Sequence, residues 1–324
     1  MKVTVPPHGF NPRTASDEQL HLYGFPPRPA SGPARKAWEQ RYPSGDIDYV
    51  VPTMCAMEGV YHLPSQPRTA SSGRSLVDLS PNWSGGVVIK TPNEPAFTAA
   101  HVTWVEPKFA AACPGKSGYT IWSGIGGYKV IQGKKWGLLQ AGVDNLGGKG
   151  PNQDYVFWEA LNQSKSATFP EMKVSNLKVT AGDKLTVTTY YDRVDKTVVF
   201  QISNLTRKKV VTLGPWIKLK KNPGWYHKVS GYYDGTYAEA IAERPTYGKS
   251  YVNLRKPTTG SSIFSAAAFS NSYEGGDFPG YQYKGWTQLT MRNDDGIPLS
   301  APTQFPESKK AKSTGWTNSW KRCS

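Results

Sequence analysis

Cysteine is scarce in this chain of 324 residues: only Cys55, Cys113 and Cys323 occur. They permit at most one intramolecular disulfide and leave one thiol over, which excludes a small fold held together by disulfides. The five histidines, His8, His21, His62, His101 and His227, are scattered without an i, i+4 pair. Neither they nor the cysteines show the ligand spacing of a zinc site, so no metal is expected. No apolar run approaches the roughly 18 residues that would cross a bilayer, and the run from Ile263 to Phe269 has the length of a segment buried inside a domain. No apolar stretch follows Lys2, where Pro6-Pro7 come almost at once, so no signal peptide is visible. The Gly-x-Ser-x-Gly elbow of serine hydrolases is absent. Pro114-Gly-Lys-Ser117 lacks a phosphate loop's first glycine, because Ala110 stands there. The acidic ends of the stretch from Asp144 to Asp154 lack the alternating ligands of a calcium loop.

Acidic residues are also few, 24 against 39 Lys and Arg, giving a net charge of +15 and a pI near 9.5. The imbalance is uneven: residues 1–81 hold eight basic and seven acidic residues, leaving +14 to residues 82–324. Lysine and arginine cluster at Arg207-Lys-Lys209, at Lys218, Lys220 and Lys221, and at Lys309, Lys310 and Lys312. Such clusters read first as solvated hairpin ends and a soluble tail, with a surface for nucleic acid or another anionic polymer as the alternative. No nucleic acid and no membrane is expected as a partner, and the chain is expected to be a monomer.

What the chain has in quantity is glycine (32), proline (26), tyrosine (18) and tryptophan (11). Prolines at 6, 7, 26, 27, 29, 33, 43, 52, 64 and 67 break residues 1–80 into short pieces, predicting an extended N-terminal arm with little core of its own. One helix in it is well specified. Ser16 and Gln19 make a capping box, Asp17 and Glu18 suit the positive end, and Gly24 suits the stop. A second helix is predicted around Ala34 to Arg41. The arm reads as a propeptide, a strap or a linker, bounded by the Ser/Thr/Arg-rich piece from Thr69 to Ser75.

From Asn82 the pattern becomes β. Strands are predicted at 86–89, 97–105, 120–125, 210–213, 225–229, 238–243, 263–269 and 288–292, with a clear hairpin joining 185–191 to 197–203. Many short antiparallel strands separated by turn signals predict an all-β sandwich or jelly roll over residues 81–324.

Two stretches could carry chemistry. In Trp136-Gly-Leu-Leu-Gln-Ala-Gly-Val-Asp144, strand alternation puts Leu138, Gln140 and Gly142 on one face and Leu139, Ala141 and Val143 on the other. A buried amide among apolar residues must be hydrogen-bonded or it costs about 1 to 3 kcal/mol, so Gln140 is either a structural bridge or a working group. In Tyr237-Ala-Glu-Ala-Ile-Ala-Glu-Arg-Pro245, a strand would put Glu239, Ile241 and Glu243 on one face, whereas a helix would put the two glutamates at i, i+4. Local propensity does not decide between them.

Four patterns in order, Asn82-Trp-Ser-Gly, Trp122-Ser-Gly-Ile, Leu139-Gln-Ala-Gly and Ala238-Glu-Ala-Ile-Ala-Glu, resemble the glutamic peptidases (eqolisins). The resemblance implies a concanavalin-like sandwich of two packed, curved antiparallel sheets, and it implies a strand for 238–243. It also implies a cofactor-free endopeptidase acting on protein or peptide substrates, with Gln140 and Glu243 as catalytic residues. Trp83, Trp122, Asp144 and Glu159 match family residues of the substrate cleft, and the family implies an extracellular location and work in acid. The chain departs from the family at Gly126, where an acidic residue is often found, and in its strongly basic charge. A lectin-like sandwich is the rival on the same fold, because fold does not fix function.

Overall fold

The computed structural model describes residues 5–42, 45–65, 68–69, 77–110, 113–129, 136–147, 153–162, 169–214, 233, 235–258, 261–270, 286–305 and 315–323. Fourteen strands build the sandwich: β1 (Trp83–Ile89), β2 (Ala99–Val105), β3 (Ser117–Gly126), β4 (Gly137–Gly147), β5 (Gln153–Asn162), β6 (Phe169–Val174), β7 (Lys184–Asp192), β8 (Thr197–Asn204), β9 (Lys209–Leu213), β10 (Tyr237–Glu243), β11 (Ser261–Phe269), β12 (Trp286–Arg292), β13 (Pro298–Thr303) and β14 (Trp316–Trp320). The strand predicted at 225–229 lies outside the described residues.

The front sheet runs β6-β5-β4-β3-β10-β1-β12 and the back sheet β14-β11-β2-β7-β8-β9, every one of these neighbours antiparallel. β13 pairs with both β12 and β14 and so joins the two sheets along one side. Between the layers lies one apolar core. The front sheet supplies Ile121, Ile125, Leu139, Ala141 and Val143 to it and the back sheet Val102, Trp104, Val187 and Ile202. Ala238, Ala240 and Ala242 also point inward, which fixes Glu239, Ile241 and Glu243 on the outer face of the front sheet. The segment 238–243 is therefore a strand, and the alternation in β4 faces Leu139, Ala141 and Val143 into the core as predicted.

Residues 1–80 are more built than expected. The first helix, α1 (Asp17–Leu22), opens with the reciprocal Ser16–Gln19 capping box, and α2 (Gly32–Arg41) starts two residues before the predicted position. In place of the little core expected of the arm, Phe10, Leu20, Phe25, Trp38 and Tyr42 form their own buried cluster, and the Tyr42 hydroxyl lies 3.2 Å from Thr188 Oγ1 of the back sheet. The chain then adds Asp48–Val50 as a parallel strand beside β9 and Met54–Ala56 as an antiparallel strand beside β6, covering the open edge of each sheet. Val60–Tyr61 joins Thr246–Tyr247 and Ser250–Tyr251 in a small separate sheet, and Val77–Ser80 runs parallel to β12 before β1 begins.

No helix among the described residues is long and apolar enough to cross a membrane. Cys113 and Cys323 form a disulfide, and Cys55 is free and exposed. Of the basic clusters, Arg207 donates to Asp183 at 2.8 Å and Lys209 lies 3.4 Å from Asp48. The lysines at 218, 220, 221, 309, 310 and 312 lie outside the described residues.

Candidate active site

The outer face of the front sheet carries a second cluster of buried side chains, with Trp83, Trp122, Leu138, Phe157 and Ile241 among them. Its glycines make the room. A Cβ on Gly142 would lie 2.1 Å from the carbonyl oxygen of Ile121 and 2.6 Å from Trp122 Cβ, and one on Gly124 would lie 2.6 Å from Trp122 Cζ3. Glycine at both positions lets the Trp122 indole lie over the sheet, edge-on to Trp83 at 4.9 Å between ring centroids.

Around these rings sit polar groups that are wholly buried: Gln140, Asp144, Glu159, Glu171, Glu243 and His62 are all 0% exposed. Each Glu243 carboxylate oxygen has its own donor, Asn82 Nδ2 to Oε1 at 3.0 Å and Trp122 Nε1 to Oε2 at 2.7 Å. Ser80 Oγ in turn donates to Asn82 Oδ1 at 3.2 Å. Gln140 Nε2 donates to Glu159 Oε2 at 2.9 Å and to the main-chain oxygen of His62 at 3.1 Å, while Gln140 Oε1 has no hydrogen-bond partner among the described residues. Asp144 accepts from Thr120 Oγ1 at 2.5 Å and from the Tyr155 hydroxyl at 3.1 Å.

His62 comes from the arm and ties this set together. Its main-chain N–H donates to Glu159 Oε2 at 3.1 Å, and its ring stacks on Phe157 at 4.5 Å. Ring Nε2 lies 3.1 Å from Glu171 and 3.8 Å from Asp144, and Nδ1 lies 3.4 Å from Glu243 Oε2, an ion-pair distance without hydrogen-bond geometry.

Burial pushes the acids upward. The Glu243 carboxyl is raised by desolvation, against the pull of His62, Trp122 and Asn82, and Glu159 is raised well above the usual carboxylate range for the same first cause. Asp144 is raised to about 7 by burial and by Glu171. Burial works against a charged His62, but Glu171, Glu243 and Asp144 outweigh it and hold the ring well above its usual value.

All six residues singled out from the sequence, Gln140, Glu243, Trp83, Trp122, Asp144 and Glu159, fall on this one face. Register gives the relation between Gln140 and the two glutamates of β10 in detail. Gln140 is level with Gly124, which is level with Glu239, whereas Glu243 is level with Thr120 and through it with Asp144. The side chains of Gln140 and Glu243 nevertheless meet the same residue, Gln140 at the main chain of His62 and Glu243 at its ring. Sequence reasoning missed His62, Glu171 and the role of Asn82. The Asn-Trp-Ser-Gly motif pointed at Asn82, but a lone histidine in a proline-rich arm carries no spacing signal.

His62, Asp144 and Glu171 present ligand atoms within 4.8 Å of one another, as do His21, Asp192 and Asp195 at the arm's contact with the β7–β8 hairpin. In both groups the histidine already stands at ion-pair distance from its acids, His62 as above and His21 at 2.7 Å from Asp192.

Residues 81–254 match the Peptidase A4 family model, more than half of the chain, and the chain belongs to that family. It is a peptidase by family. No curated protein matches the chain. Among solved structures, scytalido-glutamic peptidase with a transition state analog inhibitor is 15% identical, covers 74% of this chain and 98% of its own, and superposes with a TM-score of 0.52. The same peptidase with a peptide-based transition state analog gives 15% identity over the same shares and 0.51. Aspergilloglutamic peptidase from Aspergillus niger is 18% identical over 63% of this chain and 99% of its own, with a TM-score of 0.44.

Proposed function

We propose that the chain is an endopeptidase in which Glu243 and Gln140 activate a water for attack on a peptide carbonyl, working in acid and without a cofactor. In this reading Glu243, ionised, takes a proton from the water and returns it to the leaving amine. Gln140 donates its amide N–H to the carbonyl oxygen as that oxygen becomes negative, a contribution commonly worth about 10² to 10³ in rate. The observation that carries the reading is the contact of Gln140 Nε2 with a main-chain carbonyl, that of His62, while the same residue lies against Glu243. Gln140 thus holds a main-chain carbonyl of the same residue whose ring contacts the Glu243 carboxylate.

The supporting residues have clear tasks. Asn82 and Trp122 hold the Glu243 carboxylate in one orientation and favour its ionised form against the burial that raises it. Glu159, whose carboxyl burial raises well above the usual range, and Asp144 flank the cleft, and Trp83 and Trp122 form its apolar wall. Protein or peptide substrates follow from this reading. An extracellular location is supported by the Cys113–Cys323 disulfide, since such bonds persist in oxidising compartments. Incubation with casein from about pH 2 to about pH 7, with mass spectrometry of the products, tests the reading. Internal cuts that are most frequent in acid and indifferent to chelators are expected. An intact substrate at every pH would overturn it.

A further inference from the structure

The arm does not merely cover the site; it enters it in the manner of a peptide. Tyr61 is fixed by its pairing with Thr246, and Ser65 by its bridge to Tyr128. Between these anchors each main-chain polar group with a described partner meets a residue of the proposed machinery. The His62 N–H meets Glu159, its carbonyl oxygen meets Gln140, and the Leu63 carbonyl oxygen accepts from Asn82 Nδ2 at 2.8 Å, the group that also holds Glu243. If Gln140 is the donor to the attacked carbonyl, residue 62 occupies the position on the acyl side of the cut bond, and the His62 side chain marks the pocket for that residue.

That pocket has a definite chemistry. Its wall is the Phe157 ring, nearly parallel to the imidazole at an interplanar angle of 23°. Its polar groups are three carboxylates at 3.1, 3.4 and 3.8 Å, from Glu171, Glu243 and Asp144. All belong to the sandwich, and the cation they face belongs to the arm. An apolar side chain there would offer these wholly buried acids no polar contact of its own, whereas a flat cation satisfies both the acids and the ring.

We propose that Phe157, Glu171 and Asp144 form a specificity pocket for a cationic imidazole side chain on the acyl side of the cut bond, and that His62 is its built-in occupant. The proposal rests on the peptidase reading given above. Substrate enters only as the arm leaves, so the chain holds its own competitor. Glu171 is then a specificity residue that the family motifs do not mark, and a histidine-bearing peptide is the preferred substrate.

The test compares quenched fluorescent peptides that differ only in having His or Leu at one position, cut by the full chain, by His62→Gly and by His62→Gly/Glu171→Gln at about pH 5, where free imidazole is charged. His62→Gly is expected to cut after His with a kcat/KM about ten-fold above the full chain's and about ten-fold above its own value for Leu, and Glu171→Gln is expected to erase that preference through KM. Equal cutting of the two peptides by His62→Gly, or a preference that survives Glu171→Gln, would overturn the pocket and leave the peptidase reading standing. If no variant cuts any peptide, the peptidase reading fails and thermal unfolding decides the pocket. Millimolar imidazole should then raise the melting temperature of His62→Gly but not of the double variant, and no effect of imidazole would overturn the proposal. Should His62→Gly fail to fold, His62→Gln takes its place in both measurements.

Discussion

The disulfide between Cys113 and Cys323 closes a loop of 210 residues, about two-thirds of the chain. Breaking it with Cys323→Ser frees that loop in the unfolded state. The chain-entropy relation gives a stabilisation of about 5 kcal/mol for a loop of this length. That is comparable to the whole net stability of many domains, roughly 5 to 15 kcal/mol. The native contacts nearby are modest. Cys113 is buried with its sulfur 3.3 Å from the Leu254 carbonyl oxygen, and the Trp320 indole donates to the same oxygen at 3.0 Å, so the C-terminal strand remains docked after the bond is lost. The loss should therefore appear mainly through the unfolded state. At roughly 2.1 cal/mol/K of unfolding entropy per residue, about 5 kcal/mol corresponds to a fall of about 7 °C in melting temperature. Urea titration of wild type and Cys323→Ser, with and without reductant, measures it. The variant should match reduced wild type and show a larger denaturant slope, because its unfolded state is more expanded. A variant within about 0.5 kcal/mol of oxidised wild type would refute the entropic argument and with it the structural importance of the bond.

Two further predictions concern the buried acids. Asp144, raised to about 7, Glu159, Glu243 and His62 all have folded values above their unfolded ones, so the stability each contributes is fully present below the unfolded value and is lost as pH rises through the folded one. Between about pH 5 and about pH 8 the melting temperature should therefore fall by an amount equivalent to several kcal/mol, and a rise over that window in scanning calorimetry would contradict the assignment. Trp122→Phe removes the donor to Glu243 Oε2 while keeping the ring, so the carboxyl should rise further and the acid limb of the pH–rate profile should move upward by about one unit. An unmoved limb would mean that Glu243 does not set it.

Much of this architecture was legible because it rests on short-range rules. The Ser16–Gln19 capping box and the alternation of Leu139, Ala141 and Val143 with Gln140 need only neighbouring residues to be read. The arm was harder, for a physical reason. Its strands at 48–50, 54–56 and 60–61 are two or three residues long and are held by main-chain pairing, the first two to the sandwich and the third to a small separate sheet, so no side-chain period announces them. Its core consists of aromatics at irregular spacing, Phe10, Phe25, Trp38 and Tyr42, brought together by the path of the chain. Glu171 and His62 are 109 residues apart and meet only when the arm crosses the front sheet. The glycines at 124 and 142 were visible as residues, but their purpose appears only beside the Trp122 ring that overlies them.

The central claim is that Glu243, not its strand neighbour Glu239, is the base acting with Gln140. Both glutamates are buried on the same face, four residues apart, which places them about 13 to 14 Å from each other along the strand, and register alone would pair Gln140 with Glu239. The most direct measurement is cleavage of casein from about pH 2 to about pH 7 by wild type, Glu243→Gln, Glu239→Gln and Gln140→Ala, each checked for folding by thermal unfolding. Glu243→Gln is expected to be inactive at every pH, Gln140→Ala to fold with most turnover lost, and Glu239→Gln to differ from wild type only modestly. A dead Glu239→Gln beside a Glu243→Gln that cleaves normally would contradict the account and move the base to the residue level with Gln140.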